Sequence, residues 1–254
     1  MNEPADGRPP LAYKNEPFLD SDDARPLRIL SEYLQPLYAF ERQRICGTIV
    51  FFGSARLRPD GPLGEYYEAA RDLARRVTAW SEQVSPEMCH YAVCTGGGGG
   101  IMEAANRGAL EAGGKSIGLN IGLPHEQQPN GFTSPDLAFE FHYFFMRKLW
   151  FAHLAHGLVV FPGGFGTLDE LMEMLTLMQT GKIRRRVPVV LYGTRYWNEI
   201  LDFDALVRHG MIDATDLAHF RFADEPAQAL ALLQAGVAPL PDKAPPVIAH
   251  SRTP

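Results

Sequence analysis

The stretch Val159-Val160-Phe161-Pro162-Gly163-Gly164-Phe165-Gly166-Thr167-Leu168-Asp169-Glu170 decides the fold class of this chain. It opens with the end of a short apolar run over residues 157–161, which is typical of a buried strand in a parallel sheet. Proline and glycine then stop the strand, and apolar residues return at helical spacing from Thr167 onward. The stretch therefore predicts a buried strand, a glycine-rich turn and the start of a helix.

A helix that begins at Thr167 directs its unpaired N–H groups and the positive end of its dipole at the glycine turn. This arrangement predicts an anion site at the turn. Asp169 and Glu170 then fall in the first helical turn, beside any bound phosphate. Two interpretations of these carboxylates remain open. They contact the ligand, or they simply complement the helix dipole, since acidic residues are common where helices begin.

A second glycine-rich loop strengthens the prediction of a ligand. The strand predicted over residues 91–95 is followed by five consecutive glycines, Gly96 to Gly100, and then by a predicted helix from Ile101. Five glycines are costly to order, and a tight turn alone needs only one or two. Two strand–glycine loop–helix units predict a nucleotide-sized, phosphate-bearing ligand at the carboxyl ends of parallel strands. The G-x-G-x-x-G pattern is poorly met, and neither loop carries a P-loop lysine.

At these residues the chain resembles the Lonely Guy (LOG) family of phosphoribohydrolases, some of whose members are labelled lysine decarboxylases. Residues 162–170 match the family motif P-G-G-x-G-T-x-x-E. The resemblance extends through residues 52–56, the glycine run with residues 101–104, and residues 144–148, and it spans roughly Ser21 to Ala235. Gly99 stands where family members often have proline, which predicts a more flexible loop in this chain.

The resemblance implies a fold and an activity. The fold is a single doubly wound, Rossmann-like α/β domain with a mostly parallel sheet flanked by helices, and the alternation of predicted strands and helices favours the same class. The activity is hydrolysis of the N-glycosidic bond of a nucleoside 5′-monophosphate, AMP-like or a cytokinin riboside monophosphate, to free base and ribose 5-phosphate. No metal or organic cofactor is expected. Nothing in the sequence indicates a pyridoxal phosphate lysine, so decarboxylation is not expected.

The resemblance also implies roles for individual residues. Arg147 matches the family's catalytic arginine, and a guanidinium can hold phosphate or ribose oxygens as a fork. Glu170 is the expected catalytic carboxylate, because an anion near the sugar stabilises the positive charge of the transition state. Asp169 points about 100° away on the helix and is expected to serve structure. The expected substrate-binding residues are Ser54, Gly97, Gly98, Gly99, Gly100, Arg147, Lys148, Gly163, Gly164, Gly166 and Thr167, with Arg56 at the rim.

Several other residues leave alternatives open. Glu103 is interpreted either as a helix cap or as a ligand contact. His142, in an aromatic run, either stacks on a base or packs in the core. His153 and His156 are three apart on a predicted helix, but no third metal ligand accompanies them at suitable spacing. The triplet Arg184-Arg185-Arg186 is interpreted as a solvated turn rather than as a nucleic-acid patch.

The composition limits the partners. The chain has 254 residues and a formal net charge of −6, so broad attraction to nucleic acid or to an anionic membrane is not expected.

Homo-oligomerisation, as a dimer or a higher assembly, is expected from the exposed-looking pair Trp150-Phe151 beside Arg147. An alternative function is kept open, namely a non-catalytic nucleotide-binding or molybdenum-cofactor carrier protein on the same scaffold, because fold analogy cannot separate the two.

The cysteines, termini and helix breakers complete the prediction. The three cysteines, Cys46, Cys89 and Cys94, are expected to be reduced thiols in a cytoplasmic protein. Residues 1–20 are predicted to be a flexible arm, residues 21–235 the folded domain, and residues 236–254 a proline-rich tail. Leucines recur at helical spacing from Leu27 to Leu37, and Pro36 is expected to kink or end that helix.

Overall fold

A computed structural model describes residues 9–84, 89–122 and 128–238. Within these ranges seven strands form one sheet in the order β4-β3-β2-β1-β5-β6-β7, and every neighbouring pair is parallel. The strands are β1 (Ile45–Phe52), β2 (His90–Thr95), β3 (Ser116–Ile121), β4 (Ala138–Phe141), β5 (Ala155–Val160), β6 (Val189–Tyr192) and β7 (Phe220–Ala223). The predicted doubly wound α/β class is confirmed, and the described sheet is wholly parallel.

Helices cover both faces of this sheet. The α-helices are α1 (Glu16–Leu19), α2 (Arg25–Arg42), α3 (Gly64–Val84), α4 (Ile101–Glu111), α5 (Phe144–Leu154), α6 (Phe165–Gln179), α7 (Thr194–Ile200), α8 (Phe203–Arg208) and α9 (Pro226–Gly236). Short 3-10 turns lie at Ala12–Lys14, Asp22–Ala24, Pro135–Leu137 and Ala214–His219. None of the helices in the described ranges is both long and apolar enough to cross a membrane.

The central strand β1 sits between two hydrophobic cores. All eight of its residues are buried, as expected for a parallel strand covered on both faces. Val50 and Phe52 join the core under α2, α5 and α6, whereas Ile49 and Phe51 join the core under α3, α4 and α9. This alternation follows from the two-residue period of a strand. β1 is therefore the scaffold from which the neighbouring loops are positioned.

The strand order changes direction at β1, which fixes where a ligand can bind. From β1 the chain builds outward through β2, β3 and β4, and then returns to place β5 on the other side of β1. The loops after β1 and β5 therefore diverge at the carboxyl edge of the sheet. In open α/β sheets this topological switch point forms the ligand crevice.

Of the two outcomes predicted for Pro36, a kink or the end of its helix, the structure rules out the end. α2 continues through Pro36 to Arg42. A proline lacks the N–H that would pair with the carbonyl four residues earlier, here Glu32. That carbonyl instead accepts a hydrogen bond of 3.0 Å from the indole Nε1 of Trp150 on α5. A tertiary contact therefore satisfies the carbonyl that proline leaves free, and the helix persists.

Two strands and one helix boundary differ from the sequence prediction. The edge strands β4 and β7 were not predicted, because each has only four residues and lies beside aromatic or charged neighbours. The helix expected to run through His156 ends at Leu154, and His156 lies on β5. His156 and His153 therefore do not share a helix, and the described residues contain no group of three or more potential metal ligands.

Two of the cysteines are disulfide-bonded, which corrects the prediction of three reduced thiols. Cys46 and Cys89 form a disulfide across 43 residues of sequence with their Cα atoms 5.5 Å apart, and Cys94 is buried and free. The pairing follows from the sheet, because the amino ends of β1 and β2 are neighbours. The expected cytoplasmic location loses the support that it drew from reduced thiols and stays a prediction.

The structure describes only part of the predicted arm and of the predicted tail, so it covers the predicted domain boundaries only in part. The described portion of the predicted arm contains α1 and one 3-10 turn, and residues 1–8 lie outside the described residues. α9 ends at Gly236, at the predicted start of the tail, and residues 239–254 lie outside as well. Residues 123–127 of the long loop between β3 and β4 are also outside. The boundaries themselves stay a prediction.

Candidate active site

A cavity of about 1060 Å³ lies at the switch point beside the carboxyl ends of β1 and β5. Its walls are formed by the loop after β1, the turn between β5 and α6 with the start of α6, one residue of α5 and two residues of α7, and Gly96 and Met102 add to them. The lining includes the sequence-predicted residues Ser54, Arg56, Arg147, Gly163, Gly164, Gly166, Thr167 and Glu170. The fold thus places residues that are far apart in sequence around one cavity.

The turn after β5 leads directly into the start of a helix, as the sequence predicts. α6 begins at Phe165, two residues earlier than predicted, and no side chain caps its first turn. The N–H groups at the start of a helix have no carbonyl partner within the helix. A Cβ atom built on Gly164 or Gly166 would meet nothing within 4 Å, so this backbone is open to the cavity. The helix start can therefore accept an anion at close range.

Packing also explains why a glycine stands at position 163 in the motif at residues 162–170. A Cβ atom on Gly163 would lie 2.1 Å from Oγ1 of Thr167, so a side chain at this position would collide with the threonine. The hydroxyl of Tyr196 on α7 donates a 2.8 Å hydrogen bond to the carbonyl of Gly163. Gly163 therefore holds the turn in shape, and the buried Thr167 lies against it.

Because α6 begins early, Asp169 and Glu170 do not lie in its first turn, contrary to the prediction. Simple complementarity to the helix dipole is therefore weaker than expected, since the effect fades beyond the first turn. The two carboxylates also separate in space. Asp169 is solvent-exposed and pairs with Lys148, whereas Glu170 is nearly buried and lines the cavity.

Glu170 and Arg147 form an ion pair at the cavity. Nη2 of Arg147 lies 3.1 Å from Oε1 of Glu170, and each side chain is 13% exposed. Burial raises the pKa of Glu170 from 4.5 to about 7, Arg147 opposes this rise, and the charge of Asp169 adds to it. A carboxylate that titrates near neutral pH in a cavity is typical of functional sites.

Arg147 is held by aromatic rings and keeps one donor free. Its guanidinium carbon lies 5.3 Å from the ring centre of Phe144 and 5.7 Å from that of Phe151. Among the described residues, its buried Nε atom has no hydrogen-bond partner. A buried donor without a partner is costly.

Lys148 is predicted to contact the substrate, but its side chain pairs with carboxylates on α6. Its Nζ atom lies 2.7 Å from Asp169 and 3.4 Å from Glu173, both on α6. It is not among the residues that line the cavity. Lys148 therefore ties α5 to α6 beside the Arg147–Glu170 pair, and its role in binding stays a prediction.

Ser54 joins the two glycine loops. Its N–H donates to the carbonyl of Pro162, and its own carbonyl accepts from the N–H of Ile101. Its hydroxyl accepts a 3.1 Å hydrogen bond from the N–H of Arg56. Through these bonds the loop after β1 is held against the starts of both α4 and α6. Ser54 is therefore both a cavity residue and a structural connection.

The five-glycine loop contributes less to the cavity wall than predicted. Of its residues, only Gly96 lines the cavity. Gly97 has φ of +73° and packs on Asn120, and Gly100 has φ of +63° and packs on the carbonyl of Ser54. Gly99 approaches the carbonyl of Ala55. Packing and backbone conformation thus account for most of these glycines, and ligand contacts from Gly97, Gly98, Gly99 and Gly100 stay a prediction.

Asn130 supports this loop and was missed in the sequence. Its buried side-chain amide donates to the carbonyls of Gly97 at 3.0 Å and Gly98 at 2.8 Å, and to Oδ1 of Asn106 at 2.9 Å. Asn106 in turn accepts from the hydroxyl of Thr95. Its position within the long loop of residues 122–136 was the available signal, because long loops in compact domains are often functional.

Replacing Asn130 with alanine is expected to destabilise the protein by about 1–3 kcal/mol, because buried carbonyls lose their donor. The loss is measured by urea unfolding monitored by circular dichroism. Asn198→Ala removes an exposed amide on α7 and is the control, with no measurable change expected. Equal unfolding midpoints for the two variants would contradict the support assigned to Asn130.

The raised pKa of Glu170 predicts a pH-dependent stability. The folded protein holds this proton up to about pH 7, whereas the unfolded chain releases it near pH 4.5. The group's contribution to stability is therefore full below pH 4.5 and is lost as the pH rises through 7. Wild type is expected to lose about 2–3 kcal/mol between pH 5 and 8 relative to Glu170→Gln. Parallel stability curves for the two proteins would refute it.

Other candidates lie away from the cavity or inside the core. His142 is exposed and is not among the cavity residues, so neither of its two interpretations is supported. Glu103 accepts a 2.8 Å hydrogen bond from the hydroxyl of Tyr67 and also lies outside the lining. The pair Trp150-Phe151, interpreted as exposed, is buried at 1% and 3% exposure, so it cannot form an interface.

The fold and site together define a Rossmann-like α/β protein with a glycine turn and an uncapped helix start at the switch point of its sheet. A family model described as "Possible lysine decarboxylase" matches residues 102–233, about half of the chain. The chain belongs to this family, the LOG family predicted from its motifs.

Curated relatives are similar over most of their length. The chain is 31% identical over 176 residues to cytokinin riboside 5′-monophosphate phosphoribohydrolase LOG7 of Arabidopsis thaliana, covering 67% of this chain and 71% of that protein. It is 28% identical over 187 residues to probable cytokinin riboside 5′-monophosphate phosphoribohydrolase LOG4 of Oryza sativa subsp. japonica, covering 72% and 74%.

Solved structures support the fold alone. The X-ray structure of TM1055, a structural genomics target, is similar with a TM-score of 0.53 and 22% identity, covering 74% of this chain and 99% of that one. The molybdenum cofactor binding protein from Rippkaea orientalis is similar with a TM-score of 0.50 and 19% identity, covering 76% and 97%. At such identities the likeness carries no function.

Proposed function

We propose that this protein hydrolyses the N-glycosidic bond of a nucleoside 5′-monophosphate, releasing the free base and ribose 5-phosphate. The observation that carries this proposal is the nearly buried Arg147–Glu170 pair in the same cavity as the uncapped start of α6. The names of the relatives support it, since the family members quoted above are phosphoribohydrolases. The cavity of about 1060 Å³ is large enough for a nucleotide.

Each part of the site has a distinct task in this reaction. The 5′-phosphate binds at the N–H groups that begin α6, where the helix dipole favours negative charge. Arg147 lines the cavity and binds ribose or phosphate oxygens through the guanidinium donors that Glu170 leaves unoccupied. These contacts hold the sugar in one orientation against Glu170. The binding energy of the phosphate thereby positions the bond that breaks.

Glu170 stabilises the transition state electrostatically. As the C1′–N bond breaks, positive charge develops on the sugar ring, and an ionised carboxylate in a low-dielectric cavity stabilises that charge. Water then adds its hydroxyl to C1′, and the departing base takes the proton. Burial raises the pKa of Glu170 to about 7, and the positive charge of Arg147 opposes this rise and so favours the ionised carboxylate that the reaction uses.

The finer proposal is that the substrate is a cytokinin riboside monophosphate or a related adenine nucleotide, as the relatives' names suggest. Chromatography of the bases released from AMP, GMP, CMP, UMP and isopentenyladenosine monophosphate tests it. Preferred release from the isopentenyl substrate supports the cytokinin assignment, and release from AMP alone supports the adenine nucleotide. Binding without any release would instead favour the non-catalytic carrier.

We further propose that the protein is a homo-oligomer through the face of α5 beside the cavity. Phe144, Phe145 and Leu149 on α5 are 39–51% exposed, and Phe165 at the cavity rim is 93% exposed. Exposed apolar side chains clustered around one helix are typical of an interface. The Trp150-Phe151 pair, which the sequence predicts to be exposed, does not belong to this interface, since it is buried.

Light scattering with size-exclusion chromatography tests this interface. Wild type is expected to elute as an oligomer at micromolar concentration, and Leu149→Glu as a monomer, because an interface does not accept an unpaired charge. Leu206→Glu is the matched control, since Leu206 on α8 is 37% exposed and Leu149 is 39% exposed. A monomeric wild type, or equal behaviour of the two variants, would reject the proposed interface.

A further inference from the structure

A second cavity lies at the opposite edge of the sheet, by the amino ends of β6 and β7. Its volume is about 370 Å³, and we call it the basic cleft. The strands are parallel, so this edge is the one farthest from the candidate active site. Among the described residues, the lining includes no Asp or Glu, and its charged or titratable members are Arg184, Arg185, Arg186, His219 and Arg221.

Two of these arginines have structural tasks. Arg185 donates to the carbonyls of Ala152, His153 and Ala155 at 2.6–2.8 Å, where α5 passes into β5. Arg221 donates at 3.1 Å to the carbonyl of Ala218 and at 2.7 Å to that of Phe220. Neither guanidinium is neutralised by a carboxylate in these contacts. Their positive charge therefore remains in the wall of the cleft.

The other two arginines have no such task. Arg184 and Arg186 are exposed, and within the described ranges neither has a hydrogen bond or an ion pair. The nearest carboxylate contact belongs to His219, which lies 3.6 Å from Asp216. Asp216 is itself occupied by Gln179 at 2.7 Å and by the N–H of Asp213 at 2.9 Å. Arg184 and Arg186 are therefore free to bind an outside anion.

The charge of the cleft contrasts with that of the whole chain. The protein carries a formal net charge of −6, yet four arginines surround this one small cavity. Like charges in the wall of one cavity repel, and burial also lowers the pKa of Arg185, so the positive charge of this wall favours a bound anion. A bound anion relieves both costs. Guanidinium forks match phosphate oxygens particularly well, since each can donate two parallel hydrogen bonds.

We propose that the basic cleft is a second ligand site, for a small anion that carries phosphate groups. The volume of about 370 Å³ suits a small molecule rather than a nucleic-acid strand. Val187, Pro188 and Phe220 add an apolar wall. A free polyphosphate would use the arginines alone, whereas a nucleoside polyphosphate would also place its base on the apolar wall. Phosphate recognition by Arg184 and Arg186 is common to both.

Isothermal titration with pyrophosphate and with ATP at low salt tests the site. Wild type is expected to bind pyrophosphate at two sites, the start of α6 and the basic cleft. The double variant Arg184→Ala/Arg186→Ala is expected to lose about tenfold or more in affinity at one of them, because charge-assisted hydrogen bonds are lost. The matched control is Arg75→Ala/Arg76→Ala, which removes the same charge from the exposed face of α3.

The outcomes separate the alternatives. Equal pyrophosphate and ATP binding by the two double variants would overturn the proposal. Weaker binding of both ligands at one site, in the cleft variant alone, supports it. Tighter binding of ATP than of pyrophosphate at that same site identifies a nucleotide as the occupant. The cleft variant is expected to keep wild-type base release, since neither arginine lines the candidate active site. This result distinguishes failure of the cleft from failure of the proposed hydrolase activity.

Discussion

Glu170→Gln is expected to lower kcat for base release by about 100-fold or more while nucleotide binding changes little. The substitution keeps the shape of the side chain and an oxygen for the 3.1 Å contact with Arg147, but it removes the negative charge. The charge matters most when the sugar becomes positive, so its loss acts on the transition state rather than on the bound substrate. Steady-state kinetics together with equilibrium binding of the nucleotide measure the two effects separately.

Asp169→Asn is the matched control for this variant. The two carboxylates are neighbours in sequence, but Asp169 is solvent-exposed and pairs with Lys148 rather than lining the cavity. Its amide variant is expected to keep kcat within about threefold of wild type, because exposed ion pairs contribute little. Unchanged turnover in Glu170→Gln, or an equal loss in both variants, would show that Glu170 has no specific catalytic role.

Arg147→Lys is expected to lower kcat/KM by about 100-fold or more, although the positive charge is kept. Lysine has no planar fork, so it cannot both pair with Glu170 and present a second donor group to a ligand. It also cannot stack as a flat guanidinium on the rings of Phe144 and Phe151. Kinetics against the preferred monophosphate measure the loss, and thermal unfolding confirms that the variant is folded.

Lys148→Arg provides the comparison for Arg147→Lys, since it makes the reverse exchange at the next position. Lys148 pairs with Asp169 and Glu173 on α6, and an arginine can form the same ion pairs. Its kcat/KM is expected to stay within about threefold of wild type. Near-normal activity of Arg147→Lys would show that this position needs only a positive charge and not the guanidinium fork.

Local patterns in the sequence sufficed to predict the sheet and the glycine turn that begins α6. The apolar runs at residues 45–52 and 157–161 indicate buried parallel strands, because such strands need apolar residues on both faces. The glycine turn before Thr167 indicates a helix start, because glycine permits close approach and the first N–H groups stay unpaired. These features depend on neighbours in sequence, so they can be predicted without a structure.

The short elements depended on partners that the sequence does not name. β4 and β7 have four residues each, too few for a clear period, and they are strands because β3 and β6 pair with them. α2 passes Pro36 because Trp150, more than a hundred residues away, donates to the carbonyl that proline leaves free. In each case a contact between distant residues overrides the local preference.

The sequence by itself determined the fold class, the two glycine loops and the family, because sequence motifs and hydrophobic periods involve residues that are close together in the chain. Only the tertiary structure decided which side chains meet. It joins Arg147 to Glu170, bonds Cys46 to Cys89, and places Asn130 on the glycine loop. It also places the triplet Arg184-Arg185-Arg186 and the distant Arg221 around one cleft. The physical reason is that burial, and with it the raised pKa of Glu170, arises from packing between elements distant in sequence.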